Sequence, residues 1–315
     1  MRPFEPLPGL GSPHAQTILA ARLPTREPPS ETWVVPLADG DRLALEASTP
    51  PGWTPARGTV LLVHGLAGSH RSPYMARLAR KLLRCGVRAV RLNMRGCGSG
   101  EGLARRPYYG GCGHDVVEAL RWLRRRSPGP VELIGFSLGG NVVLTAAADL
   151  GDEAADLVQQ VIAVCPAADL AACSALISQP RHRVYDLFFV QCLRGEVRSR
   201  ERAFPGLART PLSRRMRLRE FDHVYTGPQW GFRGAADYYA GASAAPRVAQ
   251  IRCPTRVLFA LDDPLIDAGA LDRPDRPPWV EVHKVAAGGH LGFLGRRRCG
   301  GPHWLDGQLL RWVRA

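Results

Sequence analysis

The sequence predicts an α/β fold: a mostly parallel, eight-stranded sheet with helices on both faces. Three observations carry that prediction. Short apolar runs alternate with stretches of helical spacing along most of the 315 residues, the pattern of strands joined by crossover helices. Runs such as Thr59–Val63 are continuously apolar, as a strand covered on both faces requires. The run Val131-Glu132-Leu133-Ile134 leads straight into Gly135-Phe136-Ser137-Leu138-Gly139, with a helical stretch behind it. That is the sequence of a sharp strand-to-helix turn with a serine at its apex.

The elements follow in order. Residues 1–26 are Pro-rich and read as irregular chain packed over the surface. Residues 32–36 and 42–47 read as two strands joined by a turn at Asp39-Gly40. Residues 59–63 form the next strand, 72–83 a helix and 87–92 a strand. Residues 116–123 lie on a helix preceded by Asp115, an N-cap or first-turn acid. Residues 131–134 are the strand before Ser137. Residues 138–150 are the helix behind it, whose N-terminal amides favour negative charge at the turn. Strands at 161–164, 255–260 and 280–285 and a closing helix at 303–313 complete the series.

One interval breaks the alternation. Residues 167–248 hold no clear strand but many arginines and the aromatics Phe188, Phe189, Tyr225, Trp230, Phe232, Tyr238 and Tyr239. A single crossover helix needs far fewer residues. The interval is therefore expected to be a helical cap inserted before the last two strands of one domain spanning 1–315. Its aromatics suit either an apolar acyl pocket or the cap's own core.

The formal net charge is +14, and Lys81 and Lys284 are the only lysines. Such a balance raises nucleic acid or anionic membrane as partners. The arginines are scattered, however, as in Arg124-Arg125-Arg126 at a helix end and Arg296-Arg297-Arg298 in a loop, and no nucleic-acid motif accompanies them. No nucleic-acid partner is expected, and at most a weak peripheral association with a membrane. Oligomeric state is not readable. The eight cysteines lie at 85, 97, 112, 165, 173, 192, 253 and 299 and form no C-x-x-C pair. Several, including Cys165 and Cys253, read as small core residues. No charged-then-apolar leader pattern and no apolar run near the ~18 residues of a membrane span occur. The expected setting is a reducing cytoplasm. Cys97, Cys112, His114 and Asp115 lack metal-site spacing, and residues 96–102 lack the Lys-Ser/Thr of a phosphate loop. No metal or cofactor is expected.

A serine hydroxyl needs a base, a group that orients the base, and donors for the developing oxyanion. Ser137 is the candidate nucleophile. His290, on the glycine-flanked loop Gly288-Gly289-His290-Leu291-Gly292 after the last strand, is the candidate base. Asp263 is the preferred acid, because it follows a strand end where catalytic groups of open parallel sheets collect. Asp262 is its rival, and whichever does not face the histidine is expected to cap the turn. The candidate oxyanion donors are the backbone amides of Leu138 and Leu66, the latter in His64-Gly65-Leu66-Ala67-Gly68. His64 is read as holding that loop by hydrogen bonds.

These residues resemble the YheT-like family of α/β-hydrolases, which includes the animal abhydrolase-domain proteins 1, 2 and 3. The resemblance runs over most of the chain. It includes Pro13-His14-Ala15-Gln16-Thr17, His64 to Gly68 with Ser72-Pro73-Tyr74-Met75, Asn93-Met94-Arg95-Gly96-Cys97-Gly98, and Gly135 to Asn141. It continues through Phe221-Asp222, Gly231-Phe232, Tyr238-Tyr239 and Ser243, then Asp262-Asp263-Pro264 and Gly288 to Phe293. It implies the α/β-hydrolase fold and a carboxylic-ester hydrolase using Ser137, Asp263 and His290 on short- or medium-chain acyl esters or glycerolipids. Transfer of the acyl group to an alcohol would use the same residues. A non-catalytic binding protein on this fold is the reading from another class, and the intact Ser, Asp, His order argues against it. The long N-terminal membrane anchor of the animal members has no counterpart in these residues, which weakens the expectation of membrane residence and of glycerolipid substrates.

Overall fold

The structure, a computed structural model, describes residues 1, 3–129, 131–296 and 302–313. Arg297, Arg298 and Cys299 lie outside the described residues. All eight expected strands form: β1 (Glu31–Pro36), β2 (Arg42–Ser48), β3 (Thr59–Val63), β4 (Arg88–Asn93), β5 (Val131–Phe136), β6 (Val158–Val164), β7 (Thr255–Ala260) and β8 (Val280–Val285). They make one sheet in the order β1-β2-β4-β3-β5-β6-β7-β8. β1 and β2 are an antiparallel hairpin, β2 is antiparallel to β4, and every pairing from β4 to β8 is parallel. β3 and β5 are buried at every residue, which explains why their sequences run apolar rather than alternate.

The register brings the functional loops to one edge. Val63 stands beside Gly135, Phe136 beside Val164, Val164 beside Leu258 and Ala260 beside Val285. The chain therefore leaves β3, β5, β6, β7 and β8 at neighbouring points along the C-terminal rim of the sheet.

Helices α1 (Pro13–Arg22), α2 (Pro73–Arg84), α3 (Gly113–Arg126), α4 (Leu138–Leu150) and the short α5 (Ala154–Leu157) precede the long interval. α1 corrects the expectation of an irregular N-terminus. It starts at Pro13, whose fixed φ suits the first helical turn, but it buries Gln16, Thr17 and Ala20 rather than an apolar stripe. It therefore left no periodic signal. Asp115 lies in the first turn of α3, not at its N-cap. Its carboxylate forks onto Arg95, with Nε and Nη2 donating at 2.7 Å each.

Between β6 and β7 the chain forms α6 (Leu170–Ile177), α7 (Arg183–Ala203), α8 (Leu218–Phe221), α9 (Gly227–Gln229) and α10 (Ala235–Ala242), with a π-helical turn at Asp222–Thr226 and no strand. The last helix is α11 (Trp304–Trp312). Its Trp304 stacks on Phe293, and Phe4 packs edge-on to both, with ring centroids 5.4–5.7 Å apart. This cluster seats the loop after β8 on the core.

Candidate active site

Ser137 joins β5 to α4 in a left-handed conformation, φ 56°. That geometry strains a residue with a Cβ, and the surroundings impose it. A Cβ on Gly135 would sit 2.2 Å from the Gly139 carbonyl oxygen, and one on Gly139 would sit 2.3 Å from that of His64. Only glycine lets the strand, the helix and the loop after β3 close this tightly. One turn on, fully buried Asn141 donates to the Gly110 and Ala242 carbonyls at 2.8 Å each and accepts from Ala244 N at 2.8 Å. It ties the base of the elbow to the end of the long insertion.

The structure brings Ser137, His290 and Asp263 together. His290 Nε2 is 2.9 Å from Ser137 Oγ, and His290 Nδ1 is 2.9 Å from Asp263 Oδ2. With Nδ1–H donating to the carboxylate, Nε2 is left to accept the serine proton. The Asp263 side chain is 1% exposed. Its other oxygen accepts from Leu265 N and Ile266 N at 2.9 and 3.2 Å, which fixes the carboxylate plane. Asp262 points elsewhere and accepts from Gly289 N at 2.9 Å. This corrects the expectation that the acid turned away from the histidine caps the turn: Asp263 both faces the imidazole and caps its own turn, while Asp262 holds the loop that carries His290.

Leu66 and Leu138 line the same cavity as Ser137. The amides on either side of Leu66 are occupied. Gly65 N–H donates to the Tyr74 hydroxyl at 2.9 Å, and Ala67 N–H donates to the Tyr108 hydroxyl at 3.0 Å. His64 is fully buried, lies 2.8 Å from the Gly65 carbonyl through Nδ1, and accepts from Met94 N at 3.1 Å through Nε2. Burial lowers its pKa to about 4, so it stays neutral at pH 7 and acts as a bracket for this loop.

The cavity measures about 80 Å³ and is walled by apolar residues including Leu170, Ile177, Leu193 and Leu265. The aromatics of the insertion take three different places. Phe189, Tyr238 and Tyr239 line the cavity. Tyr225 packs on Phe221, Trp230 stacks on Tyr109, and Phe188 is exposed. The wall also carries a polar spot, where the Tyr239 hydroxyl donates to Asp222 Oδ2 at 2.7 Å. Burial drives Asp222 up to about 6, against the lowering effect of its bonds to Tyr239 and Thr226.

Reasoning from sequence missed several supporting residues. Tyr74, Tyr108 and Asn141 act by hydrogen bonds to other loops; Tyr74 and Asn141 lie in segments that the family resemblance picked out, whereas Tyr108 carried no such signal. Gln16 and Thr17 reach the His290 loop from α1. Thr17 Oγ1 accepts from His290 N at 2.8 Å, and Gln16 Oε1 accepts from Leu294 N at 2.6 Å. Their only signal was their place in the Pro13 to Thr17 segment that the family resemblance picked out.

The chain belongs to the alpha/beta hydrolase fold family, whose model matches residues 58–296. Within that family it is YheT-like. It is 31% identical over 316 residues to YheT of Escherichia coli (strain K12), an esterase by name, covering 98% of this chain and 92% of that one. A monoacylglycerol lipase of Saccharomyces cerevisiae is 26% identical over 270 residues, 82% of this chain and 59% of the yeast protein. Among solved structures, the Pyrococcus furiosus esterase Pf2001 superposes with a TM-score of 0.57 at 15% identity, covering 90% of this chain and 92% of that one. The chain is an α/β-hydrolase of the esterase and lipase type, a carboxylic-ester hydrolase. No helix among the described residues is long and apolar enough to cross a membrane.

Proposed function

We propose that this protein hydrolyses short- to medium-chain acyl esters through a covalent acyl-enzyme on Ser137. The observation that carries the reading is the hydrogen-bonded line Ser137 Oγ, His290 Nε2, Nδ1, Asp263 Oδ2, lying beside an apolar cavity. Ser137 Oγ attacks the ester carbonyl while His290 takes its proton. Asp263 orients the imidazole and balances the imidazolium charge. The Leu66 and Leu138 amides donate to the tetrahedral oxyanion, a contribution worth about 100- to 1000-fold per donor. His290 then protonates the departing alkoxide, and water repeats the sequence on the acyl-enzyme.

Residues 167–248 serve as the cap in this reading, since α6 and α7 supply Leu170, Ile177, Phe189 and Leu193 to the cavity wall. A chain long enough to reach Asp222 and Tyr239 meets polar groups already paired with each other, which sets an upper limit on acyl length. The test is a panel of p-nitrophenyl esters of increasing acyl length. An optimum at short to medium acyl groups is expected, and activity rising without limit would overturn the length assignment. Added ethanol separates outcomes: free acid as the main product supports hydrolysis, and accumulation of ethyl ester points to acyl transfer.

A weak peripheral association with anionic membrane is part of the same reading. Val184, Leu187 and Phe188, spaced i, i+3, i+4 on α7, are exposed by 71%, 37% and 58%. Exposed Arg181 precedes them. A lipid surface would take up this stripe and complement the cation. Co-sedimentation with phosphatidylglycerol vesicles, lost in Phe188→Asp, is expected. Absence of binding by the unaltered protein would remove this part of the proposal.

A further inference from the structure

The loop carrying His290 does not hold its shape by regular pairing. Gly289, Leu291 and Phe293 all have left-handed φ, 57°, 58° and 45°, and two of them bear side chains that disfavour it. Four main-chain amides of the loop are hydrogen bonded: Gly289 N to Asp262, His290 N to Thr17, Phe293 N to the Gly288 carbonyl and Leu294 N to Gln16. Half of these partners come from α1. The Thr17 hydroxyl donates to the Pro13 carbonyl at 2.7 Å, which turns its lone pairs toward His290 N at 2.8 Å. Gln16 is 1% exposed. Its amide nitrogen donates to the Leu10 and Leu294 carbonyls at 2.7 and 3.2 Å while its oxygen accepts from Leu294 N. The backbones meet so closely that a Cβ on Gly289 would lie 2.4 Å from the Pro13 carbonyl oxygen, and one on Gly292 would lie 2.6 Å from that of Gln16.

We propose that Thr17, seated by the Gln16 clamp, is a positioning residue for the His290 imidazole, so that a helix 273 positions upstream sets the base between Ser137 and Asp263. This inference rests on the reading of His290 as the general base. The bond from Thr17 is to the main chain of His290. It acts on the reaction by fixing where that backbone stands, and misplacement of a reacting group by about 1 Å can cost on the order of 100-fold.

The test measures the rate at which a fluorophosphonate modifies Ser137, together with kcat and KM on p-nitrophenyl butyrate, per folded enzyme as judged by near-ultraviolet circular dichroism. Thr17→Val keeps the shape and removes the acceptor. It is expected to slow both labelling and kcat by roughly 10- to 100-fold with KM changed less than about twofold. Thr17→Ser, which keeps the hydroxyl, is expected to restore most of the rate. In a His290→Ala background Thr17→Val should have no further effect, because the group it positions is gone. Should Thr17→Val be poorly folded, Thr17→Ala serves in its place with the same expectation. The proposal is overturned if the valine and alanine variants label at the unaltered rate, if serine is as slow as valine, or if Thr17→Val costs the His290→Ala enzyme the same factor. Failure of the unaltered protein to label at Ser137 would instead refute the proposed nucleophile.

Discussion

The two edges of the sheet are built on opposite principles. Among the described residues, every non-glycine residue with positive φ follows a strand at the C-terminal edge: Ala67 after β3, Ser137 after β5, Cys165 after β6, and Leu291 and Phe293 after β8. The opposite edge holds a polar network and, among the described residues, no side-chain-bearing residue at positive φ. Gln160 donates to Glu132 at 2.8 Å and to the Trp312 carbonyl at 2.7 Å, and Arg256 donates to Gln160 at 2.9 Å. Both edges bury hydrogen-bonded polar groups. Only one stores backbone strain, and it is the one that presents a serine, an imidazole and a carboxylate beside a cavity. Strain of this kind persists where the surrounding structure over-determines it and gathers at functional sites. Changes at the C-terminal edge should therefore move activity with little effect on stability, and changes at the other edge should do the reverse.

The largest effect expected is that of Ser137→Ala, a loss of at least about 10⁴-fold in kcat on p-nitrophenyl butyrate with an unchanged melting temperature. The adjacent acids sharpen the contrast within the active edge. Asp263→Asn should cost about 10⁴-fold by favouring the wrong imidazole tautomer. Asp262→Asn keeps an acceptor for Gly289 N and should cost less than about tenfold. Equal losses in steady-state assays of the two would erase the distinction drawn between them. Leu170→Trp, which fills the cavity, should shift the acyl-length optimum toward shorter esters by several-fold in kcat/KM ratio, read on the same ester panel.

The smallest effect belongs to the opposite edge. Burial raises Glu132 to about 8 from the usual 4.5, offset in part by Gln160 and by Arg256. The folded protein therefore holds a proton there that the unfolded chain has released, and stability falls as pH rises from about 4.5 to 8. Glu132→Gln keeps an acceptor for Gln160 and removes the titration. It should raise the melting temperature at pH 8, leave it nearly unchanged at pH 4.5, and leave kcat as it was. A change in kcat would break the division between the edges.

Much of this was legible in the sequence. Every strand was: the inner parallel strands are short apolar runs, and β1 and β2 are set off as a hairpin by the turn at Asp39-Gly40. Ser137 and His290 were legible as candidates, since each follows a strand within a glycine-rich turn. The choice between Asp262 and Asp263 was open, because adjacent side chains diverge and only the loop geometry says which one meets the imidazole. α1 was hidden, because its buried face is made of Gln16, Thr17 and Ala20, groups that hold by hydrogen bonds and close contact. The insertion between β6 and β7 was visible only as a break in the pattern. Its aromatics carry no mark that sends Phe189 to the cavity wall, Trp230 to a stack on Tyr109 and Phe188 to solvent.

The most direct test of the central claim is the site of covalent modification by a fluorophosphonate, read by peptide mass spectrometry. Stoichiometric addition to the peptide holding Ser137 is expected, absent in Ser137→Ala and greatly slowed in His290→Ala. Ester hydrolysis that persists with Ser137 unmodified, or an adduct on another residue, would contradict it.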